Sequence, residues 1–501
     1  MSILCFRTED VNSGGFMLRV EERFEVESES PHESFITPYD TFDWRMYGNG
    51  YFAYATPTSF NIQESLAPSP FLEREMRSVP RFWWEFKDDR LRALLKNITG
   101  IRALLPLPGL EIHEQKHRVR NEDGKIVGRL SILTHAASED GARCYLLIEP
   151  LRGYAEERDS LSAMARKSGM KRLPCPLLED LLLVHDIHPG DYSSKLDIGL
   201  RRTQTITEAA LAIHGQLLST MRSNIPGIIQ DYDTEFLHDF RVATRRTRAC
   251  LSQIKEAFPP AIAAEYNAGF KKIAQRCNVL RDLDVYLLEK QRYYDLLPQH
   301  LHQGLDQYFA HIKRRRKAQH KSFADFLQTK TFASTLENWG AFLESPQTPA
   351  GSPPAIEVAR SRIRDRFRKI IKKGRKISTA SPDKDLHSLR IDCKRLRYLL
   401  EFFASLFPAK KMDRLIKHMK GLQDNLGEFN DLAVQQGNLS VYLARSGHNA
   451  PQHQLRSAAI GGLLAVLSNR QNEVREEFFH SFAEFDSKQV HTLCKELFGE
   501  G

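Results

Sequence analysis

Leu237–Leu251 reads LHDFRVATRRTRACL, and Leu386–Leu400 reads LHSLRIDCKRLRYLL, 149 residues later. The same offset carries LRDL at Leu280–Leu283 onto FNDL at Phe429–Leu432 without a gap. In each copy a His is followed by basic residues at +3, +7 and +10. An α-helix turns about 100° per residue, so His238, Arg241, Arg245 and Arg248 fall within an arc of roughly 80°. His387, Arg390, Lys394 and Arg397 repeat that arc. Leu237, Phe240 and Leu251 border the first stripe, and Leu386, Leu389 and Leu400 border the second. The basic stripes therefore adjoin the core face of their helices. Like charges three and four residues apart repel by a few tenths of about 1 kcal/mol per pair, and no acidic residue within either stripe offsets this. Arginine supplies forked donors that match phosphate, and lysine a point charge. Two equivalent cationic helices are an anion-binding arrangement, and the duplication predicts that they face one cavity.

Charge is divided unevenly around this repeat. Residues 1–200 hold 25 Lys+Arg against 31 Asp+Glu, and residues 201–501 hold 47 against 32. A mildly acidic part thus precedes a strongly basic one, which implies an anionic partner: nucleic acid, a phosphate polymer or a membrane surface. At 501 residues the chain has room for two or three domains. Its seven cysteines (Cys5, Cys144, Cys175, Cys250, Cys277, Cys393 and Cys494) show no zinc spacing, and Cys250 and Cys393 sit inside helical patterns as small core residues. With no secretory leader pattern and no apolar run of membrane-spanning length, the expectation is a cytoplasmic protein in a reducing compartment, not inserted in a membrane.

Residues 1–150 alternate in the β manner, and 1–195 are expected to form a β-rich domain. Candidate strands are 16–26, 51–54, 110–120, 125–134 and 143–151, with a hairpin turn at Asn121–Gly124 and a short helix over 89–98. Together they predict an antiparallel barrel or curved sheet. From about 200 the apolar spacing is helical. Helices are predicted at 207–223, 235–258, 261–287, 297–327, 356–377, 384–407, 411–426 and 452–482. Asp233-Thr234 and Ser381-Pro382-Asp383 start the stripe helices; Pro259-Pro260 and Pro408 stop them. The Pro- and Ser-rich stretch 344–354 is the linker. It divides a helical domain over 200–490 into repeats of about 205–340 and 355–490, each of four or so helices. The fold class is α+β, multidomain.

Further cations lie on helical faces: Arg314-Arg315-Arg316-Lys317, Arg362, Arg366, Lys369, Lys372, Lys373, Arg375-Lys376, Lys410-Lys411, Lys417 and Lys420. Singly each reads as a solubilising face; together they widen the positive field. Arg362, Arg366, Lys369, Lys372, Lys373, Lys417 and Lys420 are candidate additional anion contacts. Asp282 and Asp431 occupy equivalent places and read as orienters of the stripes or as packing contacts, since no base or metal set accompanies them. Motifs of P-loop, dinucleotide-binding and serine-hydrolase type are absent. His113 with His117, and His185 with His188, lack further ligands, so no metal and no cofactor is expected; Phe82-Trp83-Trp84 reads as an aromatic packing cluster.

The His238 and His387 segments, with VLRDLDV (279–285) and LGEFNDLAV (426–434), resemble the paired signature of the CHAD family, the conserved-histidine α-helical domain. The resemblance covers roughly 200–490. It implies two four-helix bundles related by pseudo-twofold symmetry around a basic central channel, and it implies binding of inorganic polyphosphate, with residence on polyphosphate granules. Carried over, the ligand residues are His238, Arg241, Arg245, Arg248, His387, Arg390, Lys394 and Arg397, with no catalytic residue. The N-terminal part resembles the CYTH (triphosphate tunnel) domain through YDTFDWRM (39–46) and RVEERF (19–24). Where that family's Glu-x-Glu-x-Lys is expected, this chain has Arg19-x-Glu21-x-Arg23. Phe52-Ala53-Tyr54-Ala55 stands for its Leu-Arg-x-Arg, and of its late carboxylate pair only Glu149 remains, with Leu147 in the other place. Hydrolysis of a triphosphate needs several carboxylates for a divalent metal and several cations for phosphate. The departures argue against an enzyme and leave a scaffold, a dimerisation element or a site for another ligand. The alternatives are a triphosphatase or polyphosphate phosphohydrolase working through the N-terminal domain, and a general polyanion or nucleic-acid binder. The last is disfavoured because the stripes lack interleaved aromatics, apart from Tyr398 beside the second. Oligomeric state is not legible.

Overall fold

The computed structural model describes residues 3–8, 14–64, 70–137, 141–173, 177–345, 351–445 and 453–499. The chain forms two compact units, Met1–Ser194 and Lys195–Gly501. Cys175 and the linker positions 346–350 lie outside the described residues.

The first unit is built on an antiparallel sheet of eleven strands: β1 (Leu4–Thr8), β2 (Glu25–Ser28), β3 (His32–Asp40), β4 (Tyr51–Ala55), β5 (Ser59–Glu64), β6 (Leu72–Glu75), β7 (Leu105–Pro106), β8 (Leu110–Arg120), β9 (Ile126–Ala137), β10 (Gly141–Pro150) and β11 (Lys171–Arg172). The main path runs β11-β1-β10-β9-β8-β3-β4-β5-β6, with β2 on β8 and β7 on β3; among the described residues it does not close into a barrel. The β8–β9 hairpin turns where predicted: Gly124 takes φ +73° and donates its N–H to Asn121 O at 2.8 Å. Helices α1 (Gly14–Glu21), α2 (Arg45–Gly48), α3 (Asp89–Thr99), α4 (Ala155–Lys167) and α5 (Leu177–Leu183) accompany the sheet.

The strand expected over 16–26 is a correction. Residues Gly14–Glu21 are helical, because Phe16 and Val20, four apart, are the buried pair, while Leu18 is 64% exposed where alternation would bury it. Arg19 and Glu21 therefore sit on a helix rather than on a strand face, and Arg23 bonds Ser160 Oγ at 2.8 Å. The 39–46 stretch is a buried polar knot. The Asp40 carboxylate accepts N–H bonds from Thr41, Met46 and Tyr47, closing the turn into α2. Burial nevertheless lifts that carboxyl to about 6.

The second unit is helical: α6 (Ile206–Ile229), α7 (Thr234–Gln253), α8 (Pro260–Leu288), α9 (Lys290–Asp295), α10 (His302–Leu327), α11 (Lys330–Glu344), α12 (Ala355–Gly374), α13 (Asp383–Phe402), α14 (Ala409–Arg445), α15 (His453–Phe485) and α16 (Lys488–Phe498). The starts of α12, α13 and α14 each lie 149 residues after those of α6, α7 and α8. Local signals set these starts. Thr205 and Glu208 form a capping box on α6, Asp233 caps α7 through the N–H groups of Glu235 and Phe236, and Pro260 opens α8. The predicted helix at 297–327 begins at His302, and α14 runs on to Arg445, beyond the predicted end at 426; α11 and α16 were not predicted.

A local pseudo-twofold axis is visible where the linker rejoins the helices. Ile206 N–H donates to Pro353 O at 2.8 Å, and Ala355 N–H donates to Gln204 O at 2.9 Å. These are equivalent residues of the two repeats exchanging equivalent bonds, centred on the Thr205–Pro354 bridge. Helices α7 and α13 pack on each other across the repeats, with α8 beside α7 and α14 beside α13. The stripe-bearing helices are thereby brought face to face.

Candidate functional site

The apolar borders of the two stripes go into the core: Leu237 and Phe240 on α7, Leu386 and Leu389 on α13 are buried. That burial turns the adjoining cations toward the opposite repeat. A cavity of about 680 Å³ is lined by His238, Arg241 and Arg245 from α7, Arg390 and Lys394 from α13, Asp282 from α8, and Gln423, Asp424, Glu428 and Asp431 from α14. A smaller one of about 280 Å³ shares His238, Arg245, Arg390, Lys394, Gln423 and Asp424 and adds Arg246, Arg397, Tyr398 and Glu401.

Each cation is held differently. Arg241 donates from Nε to Asn278 Oδ1 at 2.9 Å, and Arg390 pairs with Asp431 at 3.1 Å. Arg397 and Arg246, from different repeats, converge on Glu401 at 2.6 and 2.8 Å. Arg245 and Lys394, the equivalent residues at the centre of the two stripes, have no carboxylate within 4 Å among the described residues. The Arg245 guanidinium lies over the Tyr398 ring at 5.6 Å, and its Nε is buried without a hydrogen-bond partner among the described residues. Burial, with the charges of Arg390, Arg245 and Arg241, pushes the Lys394 ammonium down to about 7, against the partial pull of Asp431. Burial likewise lowers Arg245 and Arg390, each with help from neighbouring arginines. Across the cavity, burial raises Asp282, and Asp431 adds to the rise while Arg241 opposes it. The site is a cationic α7/α13 wall facing a wall on α8 and α14 that carries Asp282, Asp424, Glu428 and Asp431.

Residues 212–440 match the CHAD domain family model. The helical unit carries a CHAD domain. Solved structures similar to the chain include the CHAD domain from the plant Ricinus communis, 23% identical over 58% of this chain and 96% of that one, TM-score 0.48. PptA from Streptomyces chartreusis is 15% identical over 56% and 99%, TM-score 0.41. A protein from Pyrococcus horikoshii is 14% identical over 36% and 98%, TM-score 0.20. No curated protein matches the chain.

Within the CHAD domain the eight stripe residues do not all meet. Six line the two cavities; Arg248 and His387 do not. Arg248 donates from Nε to Asn267 Oδ1 at 3.3 Å, and exposed His387 faces Asn430 Oδ1 at 2.6 Å. The two repeats have diverged around them: where the second has Glu401 to hold Arg397, the first has Ser252 beside Arg248. Asp431 orients Arg390, one of the two roles expected of it. Arg246, Gln423, Asp424, Glu428 and Glu401 also line the site. Arg246 lies about 100° off the stripe and escapes a periodicity argument.

The additional cations divide into three groups. Arg366, Lys369 and Lys373 surround Asp392, which is 1% exposed, with Arg366 and Lys369 at 2.8 and 3.4 Å. They neutralise a buried carboxylate. Arg362 pairs with Glu256. Lys372 lines a separate groove between α12 and α16. Lys417 and Lys420 are exposed one to two turns before Asp424 on the same face of α14 and line neither cavity. Of the 314–317 run, Arg316 turns inward to Asp284 and Asp231.

In the first unit Glu149 pairs with Arg129 at 3.3 Å, His113 with Glu33 at 3.3 Å, and His117 Nδ1 with Ser28 Oγ at 2.9 Å. His185 Nε2 meets His135 Nε2 at 2.9 Å. Phe82 and Trp84 stack at 4.5 Å. Among the described residues no group of three or more His, Cys, Asp or Glu is placed to hold a metal ion, and no helix is long and apolar enough to cross a membrane.

Proposed function

We propose that the CHAD domain binds inorganic polyphosphate along its α7/α13 wall, without chemical conversion. The observation that carries this is the juxtaposition of Arg245 and Lys394 inside the shared cavity, with no carboxylate within 4 Å of either among the described residues. Half-buried like charges without a carboxylate partner are unfavourable, and a polyanion relieves both the repulsion and the lost hydration. A linear chain of phosphates suits a row of cations presented by two adjoining helices better than a compact anion does. Tyr398 cannot serve as a base-stacking platform, because its ring is 8% exposed between Arg245 and Phe402. That favours a phosphate polymer over single-stranded nucleic acid. Association with cytoplasmic polyphosphate granules is the cellular consequence of this reading.

The test is titration of long-chain polyphosphate onto the full chain at two salt concentrations, with triphosphate and single-stranded DNA as competitors. Binding should weaken steeply with salt, by analogy with counterion release from nucleic acids, and should resist competition by DNA. A longer chain should bind more tightly, since it reaches both repeats. Arg245→Ala with Lys394→Ala should weaken binding by more than tenfold. Equal loss from the exposed pair Lys313→Ala and Lys321→Ala would sink the cavity assignment.

A further inference from the structure

A different cavity, of about 810 Å³, lies among α8, α10, α14 and α15 and meets the first only at Asp282 and Tyr286. Its chemistry is graded along its length. At the Asp282 end are the rings of Tyr286, Tyr308 and Tyr442, with Tyr308 centred 6.4 Å from Tyr286 and 4.9 Å from Tyr442. His311 follows, 5.2 Å from Tyr442. One turn further along α10 come Arg314 and Arg315, which are exposed and have no ion pair or hydrogen bond among the described residues. One end is aromatic and the other cationic.

Two further observations point to a ligand. Tyr308 is 1% exposed, lines the cavity, and its hydroxyl has no hydrogen-bond partner among the described residues. A buried hydroxyl in that state is unfavourable unless something entering the cavity bonds it. The feature is also absent from the duplication: SFADF (322–326) on α10 recurs as SFAEF (481–485) on α15, an offset of 159 that sets His311, Arg314 and Arg315 against Arg470, Glu473 and Val474. This cavity is thus no by-product of the repeated cationic stripes. Its volume falls within the range of about 300–1,000 Å³ usual for small-molecule sites.

We propose that this cavity binds a nucleoside polyphosphate, with the base against half-buried Tyr442 and the exposed Val279 and Val441, an edge group at the Tyr308 hydroxyl, and the phosphates at Arg314 and Arg315. Inorganic polyphosphate has no apolar surface with which to cover Tyr442, Val279 and Val441. A nucleobase has a π-face to stack and edge groups to bond the Tyr308 hydroxyl. The arginines supply phosphate-matching forks.

The experiment is calorimetric titration of ATP, inorganic triphosphate and adenosine into the full chain and three variants: Arg314→Ala/Arg315→Ala, Tyr308→Phe and Arg245→Ala/Lys394→Ala. The expected result is saturable ATP binding that survives in Arg245→Ala/Lys394→Ala. It falls more than tenfold in Arg314→Ala/Arg315→Ala and severalfold in Tyr308→Phe, and in the Arg245→Ala/Lys394→Ala variant ATP exceeds triphosphate at least tenfold. Thermal melts that match the parent show the variants to be folded. Absence of ATP binding, equal binding of ATP and triphosphate, or loss of ATP binding with the Arg245/Lys394 pair would overturn the proposal. Long-chain polyphosphate titrated into Arg314→Ala/Arg315→Ala reports on the other site separately, so the two readings can fail independently.

Discussion

In the proposed polyphosphate complex, Lys394 should make binding pH-dependent in a window where the inner phosphates do not titrate. Its ammonium is held at about 7 against an ordinary 10.5, by burial and by Arg390, Arg245 and Arg241. A phosphate chain laid beside it supplies the missing negative charge and raises that value. Below pH 7 Lys394 is charged in both free and bound protein, so affinity is flat. Above pH 7 binding must take up a proton. If the bound value returns to 10.5, affinity should fall about tenfold at pH 8 and about a hundredfold at pH 9, relative to pH 6. The assay is equilibrium titration of long-chain polyphosphate at constant ionic strength between pH 6 and pH 9, repeated in two buffers of different ionisation enthalpy to count protons. Lys394→Arg keeps a charge throughout and should abolish most of the slope above pH 7. A flat profile in the parent, or an undiminished slope in Lys394→Arg, would refute the reasoning that neighbouring cations and partial burial depress this lysine.

The same residue affects the free protein. Its folded value lies below its unfolded value, so the unfolded chain binds more protons between about pH 7 and 10.5, and stability rises with pH across that window. Lys394→Met should therefore raise the melting temperature of ligand-free protein most below pH 7, and a destabilised variant at pH 6 would contradict this. Asp392→Asn strips the counter-charge from Arg366, Lys369 and Lys373, and should destabilise by about 3 kcal/mol or more in denaturant unfolding. Polyphosphate affinity of the folded variant should change less than threefold; a collapse in affinity would make those cations ligands instead of structural partners. Glu401→Gln releases Arg246 and Arg397 and should tighten polyphosphate binding about three- to tenfold at low salt, with the gain shrinking as salt rises. Unchanged or weaker binding would show that Glu401 positions the two arginines instead of competing for them.

Much of this site was legible before the fold was known, because its information is periodic. A repeat of 149 residues and a His with cations at +3, +7 and +10 survive translation into helices unchanged. The six stripe residues around the cavities were found that way. What escaped depended on particular neighbours. Arg248 and His387 satisfy the same spacing as the rest, yet Asn267 and Asn430 hold them elsewhere. Arg366, Lys369 and Lys373 look like a basic face in sequence, and only the buried Asp392 from the adjacent helix shows them to be counter-ions. The segment 16–26 reads equally as alternation or as an i,i+4 pair; the choice for a helix was made by which side chains found a core, Phe16 and Val20 but not Leu18.

By itself the sequence determined the duplication, the helix starts and the cationic stripes, since caps, prolines and 3.6-residue periodicity act within a few residues of one another. Only the tertiary structure decided that Arg245 and Lys394 meet, that Glu401 ties Arg246 of one repeat to Arg397 of the other, and that the Tyr308 hydroxyl is buried against Arg-lined space. Those facts rest on groups up to about 150 residues apart. The energies involved, burial and Coulomb interaction at a few ångströms, depend on distances that no local pattern encodes.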